Sequence, residues 1–129
     1  MPESIVELLE GNREKCYKCG KNKMLYCDKC LVPTCKSEHV PNIKLPLFLN
    51  LIHHSKEKSS KSSALPIKVI APETTKIIYF PENMDYFDKI NPKTTAVLFP
   101  SVYSRELAEF KPEELKLIDS VLVVDCTWY

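Results

Sequence analysis

Apolar residues in this chain come in short runs, and the last run is the densest. Val121, Leu122, Val123 and Val124 follow one another with no polar residue between them, the pattern of a strand buried on both faces, as in a parallel sheet. The run stops at Asp125. In open α/β sheets ligands gather at the carboxyl ends of strands, so this carboxylate is either part of a site or simply the polar turn that closes the strand. Upstream, Leu45-Pro-Leu-Phe-Leu-Asn-Leu-Ile reads as the first strand of a main domain. Ile67 to Ala71 and Lys76 to Phe80 read as two more, with Ala71-Pro72-Glu73 as the turn between them, and Thr95 to Phe99 as another of the buried type.

The remaining segments read as helices or connections. Pro81 to Asn91 is an irregular or short helical link. Pro112 to Ile118 predicts a helix, with proline in the first turn and Glu113 and Glu114 at the positive end of its dipole. Near the start, Ser4 to Glu10 places Ile5, Val6, Leu8 and Leu9 on one helical face; Ser4 and Glu7 stand as a capping box, and Gly11 ends the helix. Strand, connection, strand, helix, strand is the order of an α/β fold with some parallel pairing.

Composition narrows the chemistry. With 18 Lys and Arg against 17 Asp and Glu, the global charge announces no nucleic-acid partner. The segment from Asn12 to Lys36 differs: seven basic residues against two acidic ones make it a local +5. The chain has only two glycines, Gly11 and Gly20, which excludes a Rossmann or P-loop phosphate cradle, since such loops need several. No apolar run nears the length of a membrane span and no leader pattern opens the chain, so we expect a soluble, intracellular protein with reduced or metal-bound cysteines.

Cys16, Cys19, Cys27 and Cys30 form C-x2-C, seven residues, C-x2-C. Each pair aims two thiolates at one point, and two converging pairs make the closed four-sulfur shell that Zn²⁺ prefers. Such a site has no open position, so its expected role is structural; a disulfide or redox pair is the alternative. The seven-residue spacer is long enough for a β-hairpin ribbon. Cys35 and His39 lie just outside the pattern, each able to replace a ligand but expected to be bystanders. The surrounding lysines make either an RNA-facing surface or an ordinary solvated face.

A second polar segment leaves the end of the first main strand: His53-His54-Ser-Lys56-Glu57-Lys-Ser-Ser-Lys61-Ser62-Ser63. Its composition suits either a linker or a ligand-contacting loop. Phe99-Pro100-Ser101 is a third loop at a strand end.

Together these residues resemble the DTW-domain family, the tRNA-uridine aminocarboxypropyltransferases of SPOUT-like fold. The family's Asp-x-Thr-Trp motif stands here as Asp125-Cys126-Thr127-Trp128. Its cysteine-rich entry stands as Cys16, Cys19, Cys27 and Cys30, its His-x-x-Glu segment as His54-Ser-Lys-Glu57 with Lys61-Ser62-Ser63, and its strand ending in Phe-Pro as Val97-Leu-Phe-Pro100-Ser101. Tyr17-Lys-Cys-Gly, Tyr26-Cys and Lys44-Leu-Pro-Leu are similar to the eukaryotic subgroup known as DTW domain-containing protein 1. The resemblance implies an N-terminal helix and a small four-cysteine zinc module over residues 1–40 and the front part of a SPOUT-like, partly parallel domain over 41–129. Family members continue past Asp-x-Thr-Trp, so the sequence is expected to be truncated after the motif, with the C-terminal part of the domain absent.

The activity implied is transfer of the 3-amino-3-carboxypropyl group of S-adenosylmethionine to N3 of a uridine in the tRNA D-loop, in the nucleus or alternatively the cytoplasm. Asp125 is then the expected general base. Phe99, Pro100, Ser101, Thr127 and Trp128 would be cofactor-binding, and His54, Glu57, Lys61 and Ser62 substrate-binding. The rival expectation is a non-catalytic, zinc-stabilised RNA- or protein-binding fragment, with Val121 to Val124 an uncovered strand prone to edge pairing. DNA is not an expected partner, because the chain has no C2H2 pattern or evident recognition helix.

Overall fold

A computed structural model describes residues 13–126. The expected helix over residues 4–10, and Thr127 and Trp128, lie outside the described residues.

The cysteine segment folds as two small antiparallel hairpins. β1 (Glu14–Lys15) pairs with β2 (Asn22–Lys23), and β3 (Tyr26–Cys27) pairs with β4 (Val32–Pro33). Each hairpin wraps one C-x2-C pair, so the hairpins close over the cysteine knuckles and not over the seven-residue spacer as expected. The cause is local. The residue after each second cysteine turns left-handed, Gly20 at φ 75° and Leu31 at φ 54°. The turned N–H groups of Gly20 and Leu31 then donate to Cys16 O and Cys27 O, each at 2.8 Å. Glycine does this freely, whereas Leu31 carries a Cβ and adopts the same turn at a cost of about 1–2 kcal/mol.

The main body is a four-stranded sheet of β5 (Phe48–His54), β6 (Thr75–Phe80), β7 (Thr95–Leu98) and β8 (Ser120–Asp125), in the order β6-β5-β8-β7. All three pairings are parallel, so every strand ends at the same edge. β8 is an internal strand between β5 and β7, which removes the edge expected at residues 121–124. The outer strands are β6 and β7, and on β7 Val97 and Leu98 are 55% and 63% exposed. Residues 121–124 are half-buried, not enclosed on both faces. The helix preceding them, α2 (Pro112–Lys116), buries none of its residues and gives them little cover.

The segment expected as a strand over Ile67 to Ala71 is instead a helix, α1 (Pro66–Ile70). Ile67, Val69 and Ile70 carry strand propensity, but other forces outweigh it. Pro66 presets a helical φ at the first turn, and Ser62 Oγ accepts the N–H groups of Ala64 and Leu65 at 3.2 and 3.1 Å. Leu65 and Val69, one turn apart, are both buried. α1 supplies the crossover that two parallel strands, β5 and β6, require. The most enclosed side chains are Leu51 on β5, Thr75 and Ile78 on β6, and Leu65 and Ala71 at the two ends of α1. Leu51 shares a sheet face with Ile77 and Ile78 shares one with Ile52, so both faces are covered near the β5–β6 pair. No helix among the described residues is long and apolar enough to cross a membrane.

Candidate functional site

Sulfur atoms of Cys16, Cys19, Cys27 and Cys30 all lie within 4.8 Å of one another. A tetrahedral zinc–thiolate centre with bonds of about 2.3 Å has sulfurs about 3.8 Å apart. Cys19 Sγ and Cys27 Sγ are separated by 3.8 Å, that spacing, and the cluster as a whole is compatible with such an ion. The Cys30 N–H points at Cys27 Sγ from 3.4 Å, a donor suited to a thiolate. The Cys16 thiol is lowered to about 7, chiefly by the backbone N–H of Cys19 and against the effect of burial. Cys30 is pushed up to about 12 by burial and by the neighbouring sulfurs. Cys35 and His39 stand outside the cluster.

The second hairpin also carries an acid with a distant partner. Asp28 is 7% exposed. It accepts from Lys23 Nζ at 2.5 Å and, through its other oxygen, from Ser59 Oγ at 2.5 Å. Burial pushes the Asp28 carboxyl up, but these two bonds outweigh it and hold it below the usual carboxylate range.

At the carboxyl edge of the sheet, parallel register sets His53 on β5 directly beside Asp125 on β8. His53 Nδ1 lies 2.9 Å from Asp125 Oδ2, and Ser62 Oγ donates to the same oxygen at 2.6 Å. A carboxylate only accepts, so the imidazole donates from Nδ1. Among the described residues Oδ1 takes no hydrogen bond, leaving one carboxylate oxygen held and the other available. The loop after β5 folds back over the strand ends and closes a cavity of about 230 Å³ around these groups, lined also by Glu57, Lys58, Lys61 and Ser63. Ser62 bonds Asp125 and not His53, so this is not a serine–histidine relay that would make a nucleophile.

Of the residues singled out from sequence, Asp125, Glu57, Lys61 and Ser62 come together at this cavity. His54 points elsewhere: its Nδ1 accepts the Lys56 N–H at 3.1 Å and its ring lies 5.5 Å from Phe80. His53, only 3% exposed, takes the place beside Asp125. Strand alternation puts His53 and His54 on opposite faces, and the register with β8 decides which of them meets the carboxylate. Phe99, Pro100 and Ser101 follow β7 as an exposed loop in which Ser104 Oγ donates to Phe99 O at 2.6 Å. They do not line the cavity.

Fold and site define an α/β domain with a four-cysteine cluster able to hold a metal and a polar pocket at the carboxyl edge of a parallel sheet. The chain is 32% identical over 111 residues to tRNA-uridine aminocarboxypropyltransferase 1 of Xenopus laevis, covering 84% of this chain and 38% of that protein. The Xenopus tropicalis protein of the same name is 32% identical over 125 residues, covering 95% of this chain and 38% of the relative. For the Mus musculus protein the figures are 30% over 120 residues, 92% and 39%. The chain belongs to the family of these proteins, the DTW-domain family that its motifs resemble. It spans less than two fifths of their length. No family model and no solved structure matches it.

Proposed function

We propose that this chain provides the zinc-bearing entry and the acid/base pocket of a tRNA-uridine aminocarboxypropyltransferase. The observation that carries the reading is Asp125, with Oδ2 held by two donors and Oδ1 left open among the described residues, at the edge of a parallel sheet where ligands gather. S-adenosylmethionine supplies the electrophilic methylene of its 3-amino-3-carboxypropyl arm as donor substrate. Uridine N3 forms the new bond to that carbon, the carbon–sulfur bond breaks with its electrons leaving on methylthioadenosine, and the N3 proton passes to Asp125 Oδ1. Such general-base help contributes about 10²–10⁴ in rate, and holding the reactants in line contributes the rest.

In this reading His53 and Ser62 keep Asp125 from rotating, and Lys61 meets the carboxylate of the arm or a tRNA phosphate. A cavity of about 230 Å³ suits the amino-acid arm better than a whole nucleoside, since pockets enclosing drug-sized ligands run about 300–1,000 Å³. We read the parallel sheet as the front of the SPOUT-like domain, with residues 1–40 as a separate zinc module whose exposed Lys18, Lys21 and Lys29 face tRNA. The same lysines favour a second reading, a metal-stabilised RNA-binding unit without catalysis.

Calorimetry with S-adenosylmethionine on the zinc-loaded chain and transfer to a tRNA transcript separate the two. Asp125→Asn is expected to lower transfer by about 10²–10⁴-fold with zinc content unchanged. Undiminished transfer removes Asp125 from the mechanism. Retained tRNA binding with no S-adenosylmethionine binding establishes the second reading.

A further inference from the structure

We propose that Asp28 is a positioning residue through which the four-cysteine cluster sets the loop that closes the Asp125 pocket. The proposal deepens the functional reading above and rests on it for the pocket's role, though not for its test. Asp28 sits between Cys27 and Cys30, so a metal held by those sulfurs fixes its backbone. One carboxylate oxygen is tied to Lys23 of the same module and the other reaches 31 residues along the chain to Ser59 Oγ. Both ends of that bond are shielded from water, Asp28 at 7% and Ser59 at 8% exposure.

Ser59 opens a 3₁₀ turn, Ser59–Lys61, and its carbonyl accepts the Ser62 N–H at 3.2 Å. Ser62 then donates to Asp125. A continuous path therefore runs from the metal ligands through Asp28, Ser59 and Ser62 to Asp125 and His53. Between its two hydroxyl anchors the loop presents Ser60 and Lys61 to solvent, with Lys58 and Ser63 exposed on either side. Few apolar contacts hold such a segment, so each anchor controls a large share of its order. A module that served only as a structural staple would stabilise itself. This one also places Lys58, Lys61 and Ser62 over the Asp125 carboxylate.

The test is hydrogen exchange on the full zinc-loaded chain, comparing wild type, Ser59→Ala, Ser59→Thr and chelator-treated wild type. Ser59→Ala is expected to keep one zinc per chain and unchanged exchange in β5 and β8. The Ser62, Ala64 and Leu65 amides should exchange about 10- to 100-fold faster, the scale of one hydrogen bond to a charged group. Ser59→Thr, which retains the hydroxyl, should restore protection, and zinc removal should raise loop exchange at least as far as Ser59→Ala does. Loop exchange within about 2-fold of wild type in zinc-retaining Ser59→Ala overturns the proposal. So does loss of zinc from that variant, which would reverse the direction of control. None of these readouts uses S-adenosylmethionine or tRNA, so a failed transferase reading leaves the coupling standing and the converse also holds.

Discussion

Ser62 makes three hydrogen bonds through one oxygen, and Ser62→Ala deletes them together. Its hydroxyl donates to Asp125 Oδ2 at 2.6 Å and accepts the N–H groups of Ala64 and Leu65 at 3.2 and 3.1 Å. A bond to a charged acceptor contributes about 1.5–3 kcal/mol, and a hydroxyl accepting backbone N–H groups in a turn about 0.5–1.5 kcal/mol. The Asp125 side chain is 19% exposed, so water can replace part of the lost donor. The low end of each range then applies, giving about 2 kcal/mol, a factor of roughly 30 in the folding equilibrium. Urea denaturation of the zinc-loaded chain followed by circular dichroism measures this directly. A double-mutant cycle with Asp125→Ala isolates the pairwise part, expected at about 1 kcal/mol or more, because the turn bonds to Ala64 and Leu65 survive in the Asp125 variant. A loss below about 0.5 kcal/mol for Ser62→Ala, or additivity within about 0.3 kcal/mol, refutes the claim that this hydroxyl ties the loop to the carboxylate.

Chelation is expected to unfold the two cysteine hairpins, since structural zinc contributes about 10–16 kcal/mol while whole domains are stable by about 5–15; elemental analysis showing one zinc per chain, with loss of amide protection over residues 14–33 on its removal, is the check. Leu51→Ala opens a cavity in a fully enclosed site and should cost about 2–5 kcal/mol by urea denaturation, whereas Leu117→Ala at an exposed position should stay within about 0.5. Arg105 forms a paired contact with Glu114, at 3.1 and 3.2 Å, and holds that carboxyl below its ordinary value of 4.5. A lowered folded-state value means a contribution present above pH 4.5 and lost as pH falls through the lowered value. Arg105→Ala should therefore flatten part of the fall in Tm below that pH, by a small amount because the pair is exposed.

The parts legible in the linear chain were those whose cause is local. C-x2-C brings two sulfurs together by its own turn, and the pairing of two such turns survived into the structure as a compact four-sulfur cluster. The aliphatic run at residues 121–124 marked β8 and its end at Asp125, and the aliphatics of residues 45–52 marked β5, which begins later than expected and takes in His53 and His54, the two histidines assigned to the loop after it. Residues 67–71 misled because β-branched composition argues strand, while the burial of Leu65 with Val69 and the turn that the Ser62 hydroxyl holds just before the helix belong to the packed state.

Which histidine meets Asp125 was beyond composition altogether. His53 and His54 are adjacent and chemically identical, and only the parallel register of β5 with β8 puts one on the carboxylate's side of the sheet and the other against Phe80. The Asp28–Ser59 bond is of the same kind, since nothing in the spacing of a knuckle aspartate and a loop serine announces that they touch. The amino-acid sequence alone determined the four-cysteine grouping, the last strand with its end at Asp125, and the family of this protein, because turn chemistry and short apolar runs act over a few residues. Only the tertiary structure decided the strand order, the side of each histidine and the link between the two sites. Those depend on which distant surfaces the hydrophobic effect and a few buried hydrogen bonds bring into contact.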